Sequence, residues 1–166
     1  MATYADTAAD DSFSSIAGSL SATDDDTGDS SRYTITGATA DTSQSGYTHS
    51  RAGSFGTLYL NALTGTYTYV PDASKINTAS TTVNEDFTVL ATDTAGAAGS
   101  GQTLRIVIQG ANDTPSLVTG QGTDTASLYE ADSGLTASGQ LVAGDRDTAD
   151  SLTGSVASGT ADLNTG

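Results

Sequence analysis

The chain has 166 residues, enough for one large domain or for one domain and part of another, and it carries a formal net charge of −15. Its 18 Asp and 2 Glu are opposed only by Lys75, Arg32, Arg51, Arg105 and Arg146, which argues against nucleic acid and anionic membrane as partners, since both are bound by neutralising phosphates with cations. The absence of cysteine excludes disulfides and thiolate metal sites, and no apolar run of about 18 residues offers a transmembrane span.

Thr, Ser, Gly and Asp dominate while helix formers are scarce, which predicts strands joined by tight turns and no helix. In chain order, residues 3–5 and 12–14 read as short edge-strand material. Residues 16–22 form a strand that runs into the acidic loop 23–30, whose carboxylates no packed core would hold inside, and residues 32–36 are the next strand. Residues 37–55 hold the only histidine, His49, and show no sustained period, so a long surface excursion with an exposed His49 is expected. Residues 56–71 read as a β-hairpin: Leu58 and Leu60 alternate with Thr57 and Tyr59, Tyr67 and Tyr69 alternate with Thr66 and Thr68, Gly65 suits the turn, and Pro71 ends the second run. After a polar connection at 72–83 come two more strands, 86–92 and 102–108, separated by a glycine-rich turn that begins at Asp93. Phe87, Val89 and Ala91 share one face of the first; Leu104, Ile106 and Ile108 share one face of the second. About seven strands with polar turns predict an all-β, antiparallel β-sandwich over residues 1–110.

Residues 111–115 have the turn-rich composition of a linker. Beyond it, residues 139–151 match residues 18–30 at 8 of 13 positions with a spacing of 121, and the shared acids pair Asp24 with Asp145, Asp26 with Asp147 and Asp29 with Asp150. A spacing of this size in a β-rich chain implies tandem domains. Residues 116–166 are therefore expected to be an incomplete second repeat, partly disordered or paired with another chain's edge.

The runs GTLYLNALTGTYTYVPDA and EDFTVLATDTAG, a Thr/Ile/Val strand ending in GANDTP, and the preceding GSLSATDDDTGDSSRYTITG together resemble the VCBS and cadherin-like repeats of large bacterial surface adhesins, including those with RTX-type secretion. The resemblance covers most of residues 16–115. It implies an immunoglobulin-like sandwich, tandem repetition in an extracellular fibre at the bacterial cell surface, calcium binding, and a role in attachment and biofilm formation. The expected partners are neighbouring repeats of the same chain, and the expected state is a monomer.

Calcium takes six to eight hard oxygen ligands, and Asp-x-Asp in a loop offers two carboxylates with room for carbonyls and water. In a sandwich the loop after the second strand and the loop between the last two strands meet at one end, which would bring Asp24, Asp26 and Asp29 toward Asp93, with Asp10 or Asp11 as a further ligand. The same geometry sets Asp145, Asp147 and Asp150 toward the linker, where Asn112, Asp113 and Glu130 could share an ion. Linker Asn-Asp followed about 33 residues later by Asp-x-Asp is similar to the interdomain calcium arrangement of cadherins. The loop is not an EF-hand, and the RTX nonapeptide is absent. No Gly-x-Ser-x-Gly elbow frames His49 and no cleft frames the many Asp, so no enzymatic activity is expected. Lys75, the only lysine, reads as an exposed polar side chain. The alternative function is a calcium-dependent carbohydrate-binding module that holds surface polysaccharide on Tyr47, Tyr59, Tyr67 and Tyr69.

Overall fold

The computed structural model describes residues 2–23, 30–118, 140–147 and 149–155. The chain divides into two compact units, one of Met1–Thr114 with Arg146–Thr148, the other of Pro115–Asp145 with Ala149–Gly166.

The first unit contains β1 (Ala2–Ala5), β2 (Ile16–Ser19), β3 (Arg32–Ile35), β4 (Thr39–Ala40), β5 (His49–Ala52), β6 (Gly56–Leu60), β7 (Thr66–Pro71), a one-turn helix α1 (Ala73–Ile76), β8 (Thr82–Thr92) and β9 (Gln102–Gln109). These strands form an all-β sandwich of two sheets, ordered β1-β9-β8-β3 and β2-β7-β6-β5-β4. The runs β3-β8-β9 and β2-β7-β6 follow the C-F-G and B-E-D orders of an immunoglobulin sandwich. All pairings are antiparallel except that of β1 with β9, which is parallel.

The hairpin β6–β7 pairs Leu58 with Tyr69 and Leu60 with Tyr67, so these four side chains share the inner face. Its turn is held by Asn61, whose Oδ1 accepts the N–H groups of Leu63 at 3.0 Å and Thr64 at 3.2 Å. Gly65 closes the turn at φ 72°, a left-handed conformation that costs glycine little. Tyr69 sits between the sheets, its ring 6.1 Å from that of Phe87 on β8 and 5.9 Å from that of Tyr4 on β1. Leu58, Leu60, Ile106 and Ile108 complete the fully buried centre with Ile76 of α1.

Three segments differ from the sequence expectation. Residues 37–55 contain β4 and β5, which raise the strand number above seven; His49 pairs with Leu60, is half-buried and meets Thr48 Oγ1 through Nδ1 at 2.9 Å. These strands are two and four residues long and largely polar, so they carry no alternation to read. The connection at 72–83 holds α1, which buries Ile76, and β8 begins at Thr82 rather than at residue 86. Residues 12–14 form no strand, but Phe13 packs edge-on against Tyr4 at 5.7 Å.

In the second unit, β10 (Ser116–Val118) pairs antiparallel with β11 (Val142–Gly144). Most of residues 116–166, and with them the expectation of partial disorder, lie outside the described residues. Among the described residues no helix is long and apolar enough to cross a membrane.

Candidate metal centre

Parallel pairing decides where the acids gather. Because β1 and β9 run in the same direction with Ala5 opposite Gln109, the residues that follow both strands leave the sandwich at the same end. Asp6 donates its N–H to Gln109 O at 2.9 Å, and the Ala111 N–H points back to Asp6 Oδ2 at 3.4 Å. Asp113 lies two residues further on and donates its N–H to Asp147 Oδ2 at 2.6 Å. Asp6, Asp113 and Asp147 are all buried, with 8%, 3% and 3% of their surface exposed.

A second pair of acids flanks this group. Asn77, the residue that ends α1, donates Nδ2 to Asp10 Oδ1 at 3.1 Å and to Asp11 O at 3.0 Å, and its Oδ1 accepts the Asp11 N–H at 3.3 Å. Asp11 Oδ2 in turn takes the N–H and the hydroxyl of Thr7, each at 2.7 Å. Among the described residues one cation faces these acids: Arg146 Nη1 stands 3.6 Å from Asp113 Oδ1 and 4.0 Å from Asp10 Oδ1.

The electrostatics are those of an incompletely compensated anion cluster. Burial pushes the Asp6 carboxyl above its ordinary range and the charges of Asp113 and Asp11 add to this, while the Ala111 N–H works in the opposite direction. Asp6 Oδ1 and both carboxylate oxygens of Asp113 are buried yet accept no hydrogen bond. Such groups cost about 1–3 kcal/mol each when left without a donor, and more when charged. Hard, anionic oxygens are the donor type that calcium takes. Among the described residues no three His, Cys, Asp or Glu side chains stand close enough together to hold a metal ion as they are.

The remaining sequence candidates fall elsewhere. Asp93 Oδ1 accepts the Ala97 N–H at 2.8 Å within its own turn. Asp24, Asp26 and Asp29 lie outside the described residues, but the flanks of their loop, Thr23 and Ser31, line a cleft of about 250 Å³ together with Asp93. Asn112 is exposed and donates Nδ2 to Asp113 O at 2.7 Å. Glu130 lies outside the described residues; Asp145 is half-buried and Asp150 exposed, both in the second unit. Lys75 is exposed and pairs with Asp72 at 3.5 Å. Of the four tyrosines proposed for sugar, Tyr69 is fully buried and Tyr67 packs against the core, whereas Tyr47 and Tyr59 form a half-buried pair with ring centroids 6.4 Å apart and planes inclined by 51°.

Sequence reasoning missed Asp6, because the parallel pairing that brings it to Asp113 links residues about a hundred positions apart and leaves no local pattern. It also missed Glu85, which β8 places on the inner face with Phe87 and Val89. Glu85 Oε1 accepts the N–H groups of Ser54 and of Phe55, the latter at 3.0 Å, and its Oε2 takes the Tyr69 hydroxyl at 2.6 Å. No protein-family model, curated protein or solved structure matches the chain.

Proposed function

We propose that the chain is an extracellular, non-enzymatic structural repeat of a bacterial adhesin, of the VCBS and cadherin-like kind, stiffened by calcium and serving cell attachment and biofilm formation as a monomeric spacer between neighbouring repeats. The observation that supports this reading is the neighbouring pair of buried acids Asp6 and Asp113, whose carboxylates hold three oxygens with no hydrogen-bond donor. Arg146 and Asp147 belong to the first unit although the chain before Arg146 belongs to the second. Bound calcium would supply the positive charge that cancels the repulsion among these groups; Asp113 and Asp147 would hold it, and Asp6 would anchor it to the end of β1.

Calorimetric titration tests this reading. The whole chain should bind calcium with a dissociation constant on the order of 0.1–1 mM, the range of extracellular modules, and Asp113→Ala should weaken that binding at least about tenfold. Wild-type protein that takes up no calcium at millimolar concentration would overturn it.

The carbohydrate reading rests on Tyr47 and Tyr59, the pair that the core leaves half-exposed on the β5–β6 side of the sandwich. It expects retention on an acidic polysaccharide column in calcium that Tyr59→Ala abolishes. Equal elution of both proteins with and without the polysaccharide would rule it out.

A further inference from the structure

We propose that Tyr47, Tyr59 and Asp41 form a metal-independent subsite for a single soluble strand of neutral hexopyranose polysaccharide, the rings taking the apolar face of the sugar and the carboxylate its hydroxyls. The inference rests on the carbohydrate reading of the tyrosine pair and names the sugar and its polar anchor.

The pair has no part in the core. Among the described tyrosines, Tyr4 and Tyr69 are buried in the core and Tyr33 and Tyr67 pack against it, whereas Tyr47 and Tyr59 meet each other outside it. Their placement is fixed all the same. Tyr59 faces outward from β6, because Leu58 and Leu60 on either side of it are buried in the sandwich. Tyr47 is brought beside it by the turn before β5: its N–H donates to Gln44 O at 3.2 Å, Asn61 Nδ2 donates to Gly46 O at 2.8 Å, and Thr48 binds Leu60 O through its N–H at 3.0 Å and its hydroxyl at 3.2 Å. A pair held in this way loses little freedom when a ligand settles on it.

Asp41 stands on the same face. Ser50 lies opposite Tyr59 across the β5–β6 pairing, so their side chains are neighbours on the outer surface, and the Asp41 carboxylate takes the Ser50 hydroxyl. The Ser43 N–H also donates to Asp41 Oδ1, at 2.8 Å. The hydroxyl of Ser50, and then that of Ser43, hold this carboxyl below its ordinary range, so it is ionised and acts only as an acceptor.

The negative face of a tyrosine ring attracts the C–H groups of a pyranose, and an ionised carboxylate held by hydroxyls and an N–H, with no cation among them, attracts further O–H donors. A ligand rich in hydroxyls and free of negative charge satisfies both. A uronate polymer would meet Asp41 and a chain of net charge −15 as like charges, which calcium would first have to neutralise. Rings inclined by 51° cannot both lie flat on one plane, which sets aside the surface of a crystalline polysaccharide.

Affinity electrophoresis of the whole chain tests this, in chelator and in calcium, with gels that contain a soluble neutral glucan, a soluble neutral mannan or the uronate polymer alginate. In chelator at least one neutral polymer should retard the wild type; Tyr47→Ala and Tyr59→Ala should weaken that binding at least about tenfold, and Tyr59→Phe, which keeps the ring, should retain it. Asp41→Asn should weaken binding of the neutral polymer about threefold while strengthening binding of alginate in the same chelator, opposed shifts that a damaged fold would not produce. Retardation by alginate in calcium with none by either neutral polymer would overturn the inference and leave the carbohydrate reading standing. No retardation by any polymer, with or without calcium, would end both. Neutral-polymer binding that Tyr59→Ala leaves unchanged would also overturn the proposal.

Discussion

Two buried carboxylates in one sandwich show how differently the same side-chain chemistry is used. Glu85 lies among Phe87, Val89 and Tyr69, and each of its oxygens has a donor: Ser54 and Phe55 N–H on one side, the Tyr69 hydroxyl on the other. It is a clamp that ties the β5–β6 turn to the core, and a side chain added at Gly53 would strike it. Asp113 is as deeply buried but its oxygens accept no hydrogen bond, and the Arg146 guanidinium stands 3.6 Å from Oδ1. Tyr69→Phe should therefore destabilise the sandwich by about 1–3 kcal/mol in urea unfolding, because it leaves Glu85 Oε2 without its donor inside the core. Burial, and then Glu85, push the Tyr69 hydroxyl above its ordinary value of 10.0. The folded state then holds that proton more tightly than the unfolded chain, so its contribution is fully present below pH 10 and is lost as pH rises beyond it. Wild type should lose stability in that alkaline window, and Tyr69→Phe should lose less; identical pH profiles would contradict the Tyr69–Glu85 pairing. The alternation of Phe87 and Val89 was legible in the sequence and, continued two residues back, already placed Glu85 inside. Its backbone donors lie 30 and 31 residues away and the Tyr69 hydroxyl 16, however, and a charged residue without visible partners reads as the edge of a strand.

At the scale of elements, what the sequence discloses follows the range of the interaction. The hairpin β6–β7 is legible because its pattern, its turn and its glycine are contiguous. Gly65 takes φ 72°, and a Cβ there would stand 2.8 Å from Leu20 O and 2.9 Å from the Tyr33 ring. Gly46 has a similar φ of 88° but open space around it. Gly65→Ala should thus cost more than the roughly 1 kcal/mol of left-handed strain that Gly46→Ala incurs alone. Equal midpoints for the two variants in denaturant would show that the close approach to Leu20 and Tyr33 contributes nothing. Strands β4 and β5 were hidden because a short polar strand paired along one edge has no periodic signature. The parallel pairing of β1 with β9 was hidden for the opposite reason, since its partners lie at the two ends of the unit. That pairing is what assembles the acidic end, so Asp113 and Asp147 could be picked out from the linker and the repeated Asp-x-Asp, whereas Asp6 could not. The expected approach of Asp24, Asp26 and Asp29 to Asp93 lies outside the described residues.

For the whole molecule the governing quantity is charge. A net −15 on 166 residues opposes compaction, and the repulsion is felt where Asp6 lies beside Asp113 and Asp11 and where Arg146 meets Asp10 and Asp113. A divalent cation relieves it locally, and monovalent salt only screens it. Stability should therefore respond to calcium far more than to an equal ionic strength of sodium chloride. The most direct measurement is thermal unfolding of the chain in millimolar calcium, in chelator, and in magnesium at matched ionic strength. An ion present at about ten times a dissociation constant of 0.1–1 mM adds roughly 1.4 kcal/mol, which raises the melting temperature of a domain this size by several degrees. A rise of that size in calcium, absent or much smaller in magnesium, is the expected result; no rise, or the same rise with magnesium, would contradict calcium as the ion that stiffens this chain.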